Sequence, residues 1–436
     1  IYNFRYNIYS SEWPVANRAI ELYLQKKSEN EGWERQINGL SNNEKANLLL
    51  EKHTFKELLA DVEQRNLQNN IVGLEASRLF ARSEINMGVD AFRDSLYAML
   101  KRNTFLNIKF ENMLDTLGEM SRTDLYSYLK EWEQLTPLPF YSIGEPELTK
   151  VVNKGGEEFF VLKVLVSNNS DYDGIIQMNV LQNGWWYQPM EDPRARKKVE
   201  IAAHTSKEFV SVWEEQIRDV EINTMVSGNL PYMIRQSIGN VKQERNKIVK
   251  DTIYTLPESS LEMPGEVIVD NEDSTLFVLS TPAVVGLLPK WLDKVEDTSF
   301  KYSGISWWRA PLQWTATTNA KYYGKYIRSA YVIKSGDGSQ TATWKIPVPE
   351  AGQYELYYHV FKDDELRWND RLQGEYHFRV AYDSEMEDAY INLRKANEGW
   401  EQLGTYYFSA DTVRVVLTDE CKLRSVTADA VKIVKR

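Results

Sequence analysis

Tyr354-Glu355-Leu356-Tyr357-Tyr358-His359-Val360 alternates with the two-residue period of a β-strand, and the stretch decides how the last third of the chain is read. Three neighbours repeat the pattern: Ala342-Thr343-Trp344-Lys345-Ile346, Tyr376-His377-Phe378-Arg379-Val380 and Val413-Arg414-Val415-Val416-Leu417. Each is bounded by Gly, Pro, Asp or Asn, the residues that turn a chain. Such a set closes most naturally into a two-sheet jelly roll, which hides strand edges. Trp344, Leu356, Phe378, Val380 and Leu417 fall at alternating positions and are expected in the core.

Upstream, Phe159–Val166, Ile175–Val180, Lys198–Ala203, Glu208–Trp213 and Val220–Met225 form a second series of short strands separated by turn residues, the pattern of another β-sandwich. Between the two series lie Val267–Asp270, Leu276–Leu279, a short apolar helix through Leu287, Leu288, Trp291 and Leu292, and a linker at Asp293–Ser299. Before about Leu138 the period is helical. Trp13-Pro14 precedes Ala19, Ile20, Leu22, Tyr23 and Leu24, with proline where a helix begins. Ser41 and Glu44 have capping-box spacing, and Phe55, Leu58, Leu59 and Val62 recur at three and four residues. Helices are expected over Phe92–Leu100, Leu106–Leu117 and Leu125–Leu135, ended by Pro137 and Pro139. The expected fold is multidomain α+β. An all-α helical domain spans 1–140, a β-sandwich with a short helical linker spans 141–297, and a jelly-roll-like β-sandwich spans 298–436.

Composition narrows function by exclusion. The 436 residues carry a net charge of −11, against nucleic-acid binding, which needs clustered Lys and Arg. No run of about 18 apolar residues occurs, so no membrane-spanning helix is read. The single cysteine, Cys421, rules out an internal disulfide and a multi-cysteine metal site. The sequence opens at Ile1 with neither Met nor a signal peptide, which reads as a trimmed piece of a larger precursor. Thirteen Trp and 25 Tyr give a surplus of side chains that pair an apolar body with a polar tip, as wet binding faces do.

The most specific ordered pattern is Ala342-x-Trp344, Gly352-x-Tyr354-x-Leu356-Tyr357, Tyr376-x-Phe378-x-Val380, Gly399-Trp400-x-x-Leu403-Gly404-x-Tyr406-x-Phe408, Val415-x-Leu417 and Thr427-Ala428-Asp429-Ala430-Val431. It resembles the golvesin C-terminal and xanthan-lyase carbohydrate-binding-like module. That resemblance implies a β-sandwich attached to secreted or surface enzymes, and a possible glycan or cell-surface polymer as partner. Ligand contacts come from loops and edges. The candidates are Trp307, Trp314, Tyr322 and Trp368, with Trp308 and Tyr323 beside them. Asp429, between small residues, is read as a turn anchor.

A second set, Gly88-Val89-Asp90-Ala91-Phe92-Arg93, Tyr97-x-x-Leu100 and Ser121-x-x-Asp124-Leu125-x-x-Tyr128-Leu129-x-x-Trp132, is similar to the segment that follows the zinc site in gluzincin aminopeptidases. The zinc chemistry itself is missing. That site needs His-Glu-x-x-His, and none of His53, His204, His359 and His377 has another histidine within a helical turn. Nor is there a Gly-x-Ser-x-Gly elbow or a phosphate-binding loop. His359 and His377 are on neighbouring strand segments, and Asp270-Asn271-Glu272-Asp273 offers oxygens, but core or edge histidines and a solvated acidic turn are the favoured readings. The sequence therefore indicates no catalytic residues, metal ligands or cofactor. It is read as a non-catalytic binding region of an extracytoplasmic (periplasmic, cell-surface or secreted) protein. The alternative is the rear section of a gluzincin-like peptidase whose catalytic motif lies upstream. The oligomeric state is not readable.

Overall fold

A computed structural model describes residues 6–25, 31–181, 192–245, 249–259, 261, 265–280, 300–305, 310–362 and 374–436. The apolar helix through Leu287, Leu288, Trp291 and Leu292 and the linker Asp293–Ser299 lie outside the described residues. The chain divides into two compact units, one of Ile1–Glu29 with Asn42–Leu261 and one of Asn30–Ser41 with Glu262–Arg436.

In the first unit, helices Ala16–Leu24, Asn42–Leu50, Phe55–Ala60, Val89–Arg102, Phe110–Ser121 and Leu125–Lys130 surround the long helix Gln68–Met87. The Phe55 helix starts where Thr54 and Glu57 exchange side-chain and backbone bonds in a capping box, which satisfies two of the free N–H groups. Trp132 is buried edge-on against Trp13 and Phe55, with ring centroids 5.2 and 4.6 Å away. The expected helix from Leu106 begins instead at Phe110. Asn107–Lys109 pairs in parallel with Asn7–Tyr9, and Leu106 is left exposed.

Beyond the short Asn7–Tyr9 and Asn107–Lys109 pair, the strands of this unit form two larger sheets. One runs in the order Met233–Ser237, Asp219–Asn223, Gly174–Leu181, Arg196–Ile201; the other runs Val241–Arg245, Glu147–Val152, Glu158–Asn168, Thr205–Trp213, Thr252–Pro257. Leu162, Val164, Val166, Met178, Phe209 and Ile222 fill the space between them. Helix and sheet are tied together by ions. Glu84, fully buried on the long helix, accepts from Tyr23 Oη at 2.9 Å and from Lys198 on the sheet, and Arg82 meets Glu200 at 2.7 Å. Buried charges stand only when paired in this way.

The second unit is a β-sandwich. Its four-stranded sheet runs Glu266–Val269, Val431–Lys435, Gly352–Val360, Gly399–Phe408, and its five-stranded sheet runs Phe277–Leu279, Thr341–Pro347, Thr412–Thr418, Glu375–Tyr382, Glu385–Asn392. A three-stranded sheet of Thr315–Thr318, Ser329–Lys334 and Ser425–Ala428 adjoins them. Every pairing among these named strands is antiparallel. Alternation explains the packing. Tyr354, Leu356, Tyr358 and Val360 face inward while Gln353, Glu355, Tyr357 and His359 face out, and Trp344, Leu356, Phe378, Val380 and Leu417 are fully enclosed.

Two additions come from upstream. Glu266–Val269 pairs with Val431–Lys435, and Phe277–Leu279 pairs with Thr341–Pro347, so both are edge strands of this sandwich. The helix Glu31–Asn38 also belongs here. Thr318 Oγ1 donates to Gly39 O at 2.9 Å, and Gly304 lies so close to the Ile37 carbonyl that a Cβ would come within 1.9 Å of it.

Candidate functional site

The site grows from the short link between Ser425–Ala428 and Val431–Lys435, where the chain passes from the three-stranded to the four-stranded sheet at Asp429-Ala430. Core side chains fix this backbone. Trp344 Nε1 donates to Asp429 O at 3.2 Å, Thr427 N donates to Tyr376 Oη at 3.0 Å, and Tyr358 Oη donates to Thr427 O. The Asp429 carboxylate is thereby held fully buried. A buried carboxylate must be bonded. This one accepts the Tyr323 N–H, 3.2 Å from each oxygen, and faces His359 Nδ1 at 2.8 Å. Burial raises its pKa, and His359 works against that rise. The anchoring role expected of Asp429 has a definite object: it pins one loop and one imidazole.

The pinned loop crosses from Thr315–Thr318 to Ser329–Lys334. Asn319 N donates to Arg328 O at 3.1 Å, Arg328 Nη1 donates to Ala320 O at 2.8 Å, and the turn passes through Gly324, where a Cβ would sit 1.9 Å from Ile327 O. Only glycine fits there.

On the outward face, Tyr323, His359 and Trp400 meet. His359 and Trp400 are cross-strand partners with centroids 5.1 Å apart and planes at 78°, and Tyr323 lies 5.0 Å from Trp400 and 5.8 Å from His359. Trp400 and Tyr323 remain half-buried. Lys432 on the next strand places Nζ 4.8 Å over Trp400 and 5.4 Å over Tyr357, and Glu266 holds it at 2.7 Å. The cluster therefore combines apolar ring surface with an imidazole whose Nδ1 is committed to Asp429.

The sequence candidates are placed as follows. Tyr322 is buried, 6% exposed, with its ring 4.7 Å from Phe361, while its neighbour Tyr323 takes the outward position. Trp314 is half-buried against the sandwich core, and its indole nitrogen has no hydrogen-bond partner. Trp307, Trp308 and Trp368 lie outside the described residues. His359, Trp400, Lys432 and Glu266 were not read as site residues, although the outward parity of His359 on its strand was a usable signal.

His359 and His377 stand in different sheets. His377 Nε2 meets Asp388 at 2.7 Å, and its ring stacks on Tyr390 at 4.9 Å. The acidic turn Asp270–Asp273 closes on itself and on its surroundings. Asp273 N donates to Asp270 O, and Glu272 accepts from Tyr302 Oη at 3.0 Å and from Lys301 Nζ at 2.5 Å. The Asn271 amide satisfies its surroundings when its nitrogen faces Ser329 O and Asp270 Oδ1, each at 2.7 Å. Burial and the charge of Asp429 push the Asp270 carboxyl well above its ordinary range. Among the described residues no group of three or more His, Cys, Asp or Glu is placed to hold a metal ion.

The sandwich and its ordered aromatic and Thr-Ala-Asp-Ala pattern agree with one family. Residues 308–435 match the golvesin C-terminal domain. Both upstream edge strands and the Glu31–Asn38 helix fall outside that match, so the sandwich that contains it is completed by segments that precede it.

No curated protein matches the chain. Similar solved structures include the Podospora anserina GH26-CBM35 β-(1,4)-mannanase, at 12% identity and a TM-score of 0.21, over 40% of this chain and 28% of that one. The CBM35 module of Cellvibrio japonicus Abf62 is 12% identical with a TM-score of 0.20, over 30% of this chain and 90% of the module. Bacteroides uniformis β-glucuronidase 2 is 11% identical with a TM-score of 0.20, over 72% of this chain and 31% of its own length. Among the described residues no helix is long and apolar enough to cross a membrane, which leaves β-barrels unaddressed.

Proposed function

We propose that the C-terminal unit is a carbohydrate-binding accessory domain of an extracytoplasmic protein, and that it binds a glycan or cell-surface polymer at Tyr323, His359 and Trp400. The observation that carries this reading is the aromatic–imidazole cluster anchored on buried Asp429. A sugar ring has one apolar C–H face and a rim of hydroxyls. Trp400 and Tyr323 suit the face, and a His359 imidazole fixed through Nδ1 suits the rim. The golvesin-domain match over the same residues supports the reading. Trp307, Trp314, Tyr322 and Trp368 stay in the proposal as further contacts or supports on sequence grounds.

The test is a glycan array and calorimetry on the full chain beside Trp400→Ala, with Tyr407→Ala as control. Tyr407 lies on the same strand and is 66% exposed, outside the cluster. Truncating an aromatic anchor costs more than about 1 kcal/mol of binding, several-fold in affinity. Trp400→Ala is expected to weaken binding by that much and Tyr407→Ala to leave it intact. Absence of any glycan hit, or equal effects of the two variants, would overturn the reading.

A second reading, the rear section of a gluzincin-type peptidase, draws support from helices Val89–Arg102 and Leu125–Lys130, which form over the segments that carry that resemblance. A His-Glu-x-x-His motif upstream in the parent reading frame is its test.

A further inference from the structure

The same cluster indicates a class of glycan, an inference that rests on the carbohydrate reading above. Among the described residues, Lys432 of the cluster and Lys321 beside it are already paired. Lys432 Nζ is 2.7 Å from Glu266, and the two side chains are 11% and 7% exposed. Its charge also lies over the rings of Trp400 and Tyr357. His359 faces Asp429 at 2.8 Å, and Lys321, on the pinned loop beside Tyr323, is 2.8 Å from Glu398.

A uronate, sulfate or phosphate laid on Trp400 would meet the Lys432 charge already offset by Glu266, and claiming it outright would mean breaking that pair. Taking Lys432 would leave Glu266 buried and unpaired. Breaking a buried pair in that manner is strongly unfavourable. An anion would also bring its charge close to Asp429 and Glu266, on a chain whose net charge of −11 already repels polyanions at long range. A neutral sugar meets none of these costs. It asks for ring surface and hydrogen-bonding groups, and the cluster supplies both.

We infer that the site selects uncharged glycans, polymers of neutral hexoses or pentoses, and rejects chains bearing uronate, sulfate or phosphate. The experiment is affinity electrophoresis of the full chain and of Trp400→Ala. Neutral gels contain mannan, β-glucan or xylan; acidic gels contain polygalacturonate, alginate or a sulfated galactan. Both sets are run at about 20 and about 200 mM salt, which span long and short screening lengths.

The expected result is retardation in at least one neutral gel, unchanged by salt and lost in Trp400→Ala, with none in the acidic gels at either salt. Retardation in an acidic gel that needs Trp400 and weakens with salt overturns the selection for neutral glycans while leaving the carbohydrate reading standing. Retardation in neutral gels that is indifferent to Trp400→Ala overturns the assignment to this site. Absence of retardation in every gel overturns the carbohydrate reading and the inference together.

Discussion

Phe277 offers the sharpest test of where the C-terminal sandwich begins. It lies upstream of residue 308, where the family match starts, yet it is 7% exposed, stacks on Tyr331 at 5.6 Å and sits 5.4 Å from Trp344 in the core. Its neighbour Val278, on the same three-residue strand, is 44% exposed. Removing a buried phenylalanine costs about 3–5 kcal/mol, from lost transfer energy plus the cavity left behind. An exposed substitution usually stays within about 0.5 kcal/mol. Against a typical domain stability of about 5–15 kcal/mol, the first change is large. The assay is amide hydrogen exchange by mass spectrometry on the full chain, read on peptides from Thr341–Pro347 and Thr412–Thr418, which lie next to and beyond the Phe277 strand in the sheet. Phe277→Ala should raise their opening by roughly a hundredfold or more, since each 1.4 kcal/mol is about tenfold. Val278→Ala should leave them nearly unchanged. Equal protection in the two variants would refute the claim that this upstream strand is part of the sandwich core.

Two further outcomes follow from the same geometry. The Asp270 carboxyl has a pKa raised well above its ordinary value, by burial first and by Asp429 second, so folding favours its protonated form. The stability it contributes is full below the unfolded value of about 3.9 and is lost as pH rises through the folded value. Asp270→Asn should therefore gain stability relative to the parent as pH climbs from 4 to 8, a trend that melting curves would show; a constant difference would contradict it. Limited proteolysis tests the proposed division at 140/141 and 297/298. Cutting is expected at Asp293–Ser299, and the nicked halves should stay together on a native column because Glu266–Val269 and Phe277–Leu279 pair with strands downstream. Separation without denaturant would contradict those pairings, while a second early cut near Pro137 would support the three-part division.

The features legible in the sequence are those written in local period. The strand Gly352–Val360 reads correctly because one face is core and the other is not, so Tyr354, Leu356, Tyr358 and Val360 announce themselves two by two. Ends of elements read less well. Val62 continues the apolar spacing of Phe55, Leu58 and Leu59, yet the helix stops at Ala60 and Val62 is 71% exposed, because Asp61 takes an extended backbone and carries the chain off the helical path. Partnership across the chain is not written locally at all. Nothing in Glu266–Val269 says which sandwich it will join, since a short alternating strand fits either edge.

The candidate site shows the same limit more sharply. His359 finds its carboxylate 70 residues away and Tyr323 finds the same one 106 residues away, separations that no periodicity encodes. One local sign did exist. Asp429 lies between two largely buried strand segments and is flanked by Ala428 and Ala430, whose side chains offer it no hydrogen bond. A carboxylate there is enclosed by its neighbours' strands and must be satisfied from a distance. Its partners must then be donors brought by a loop or by an outward-facing side chain on an adjacent strand. Tyr323 N–H and His359 Nδ1 are of those two kinds, and Trp400 lies beside His359 because the register Val360↔Gly399 leaves it no other position. Read that way, one buried acid between two alanines locates the face on which the aromatic residues gather.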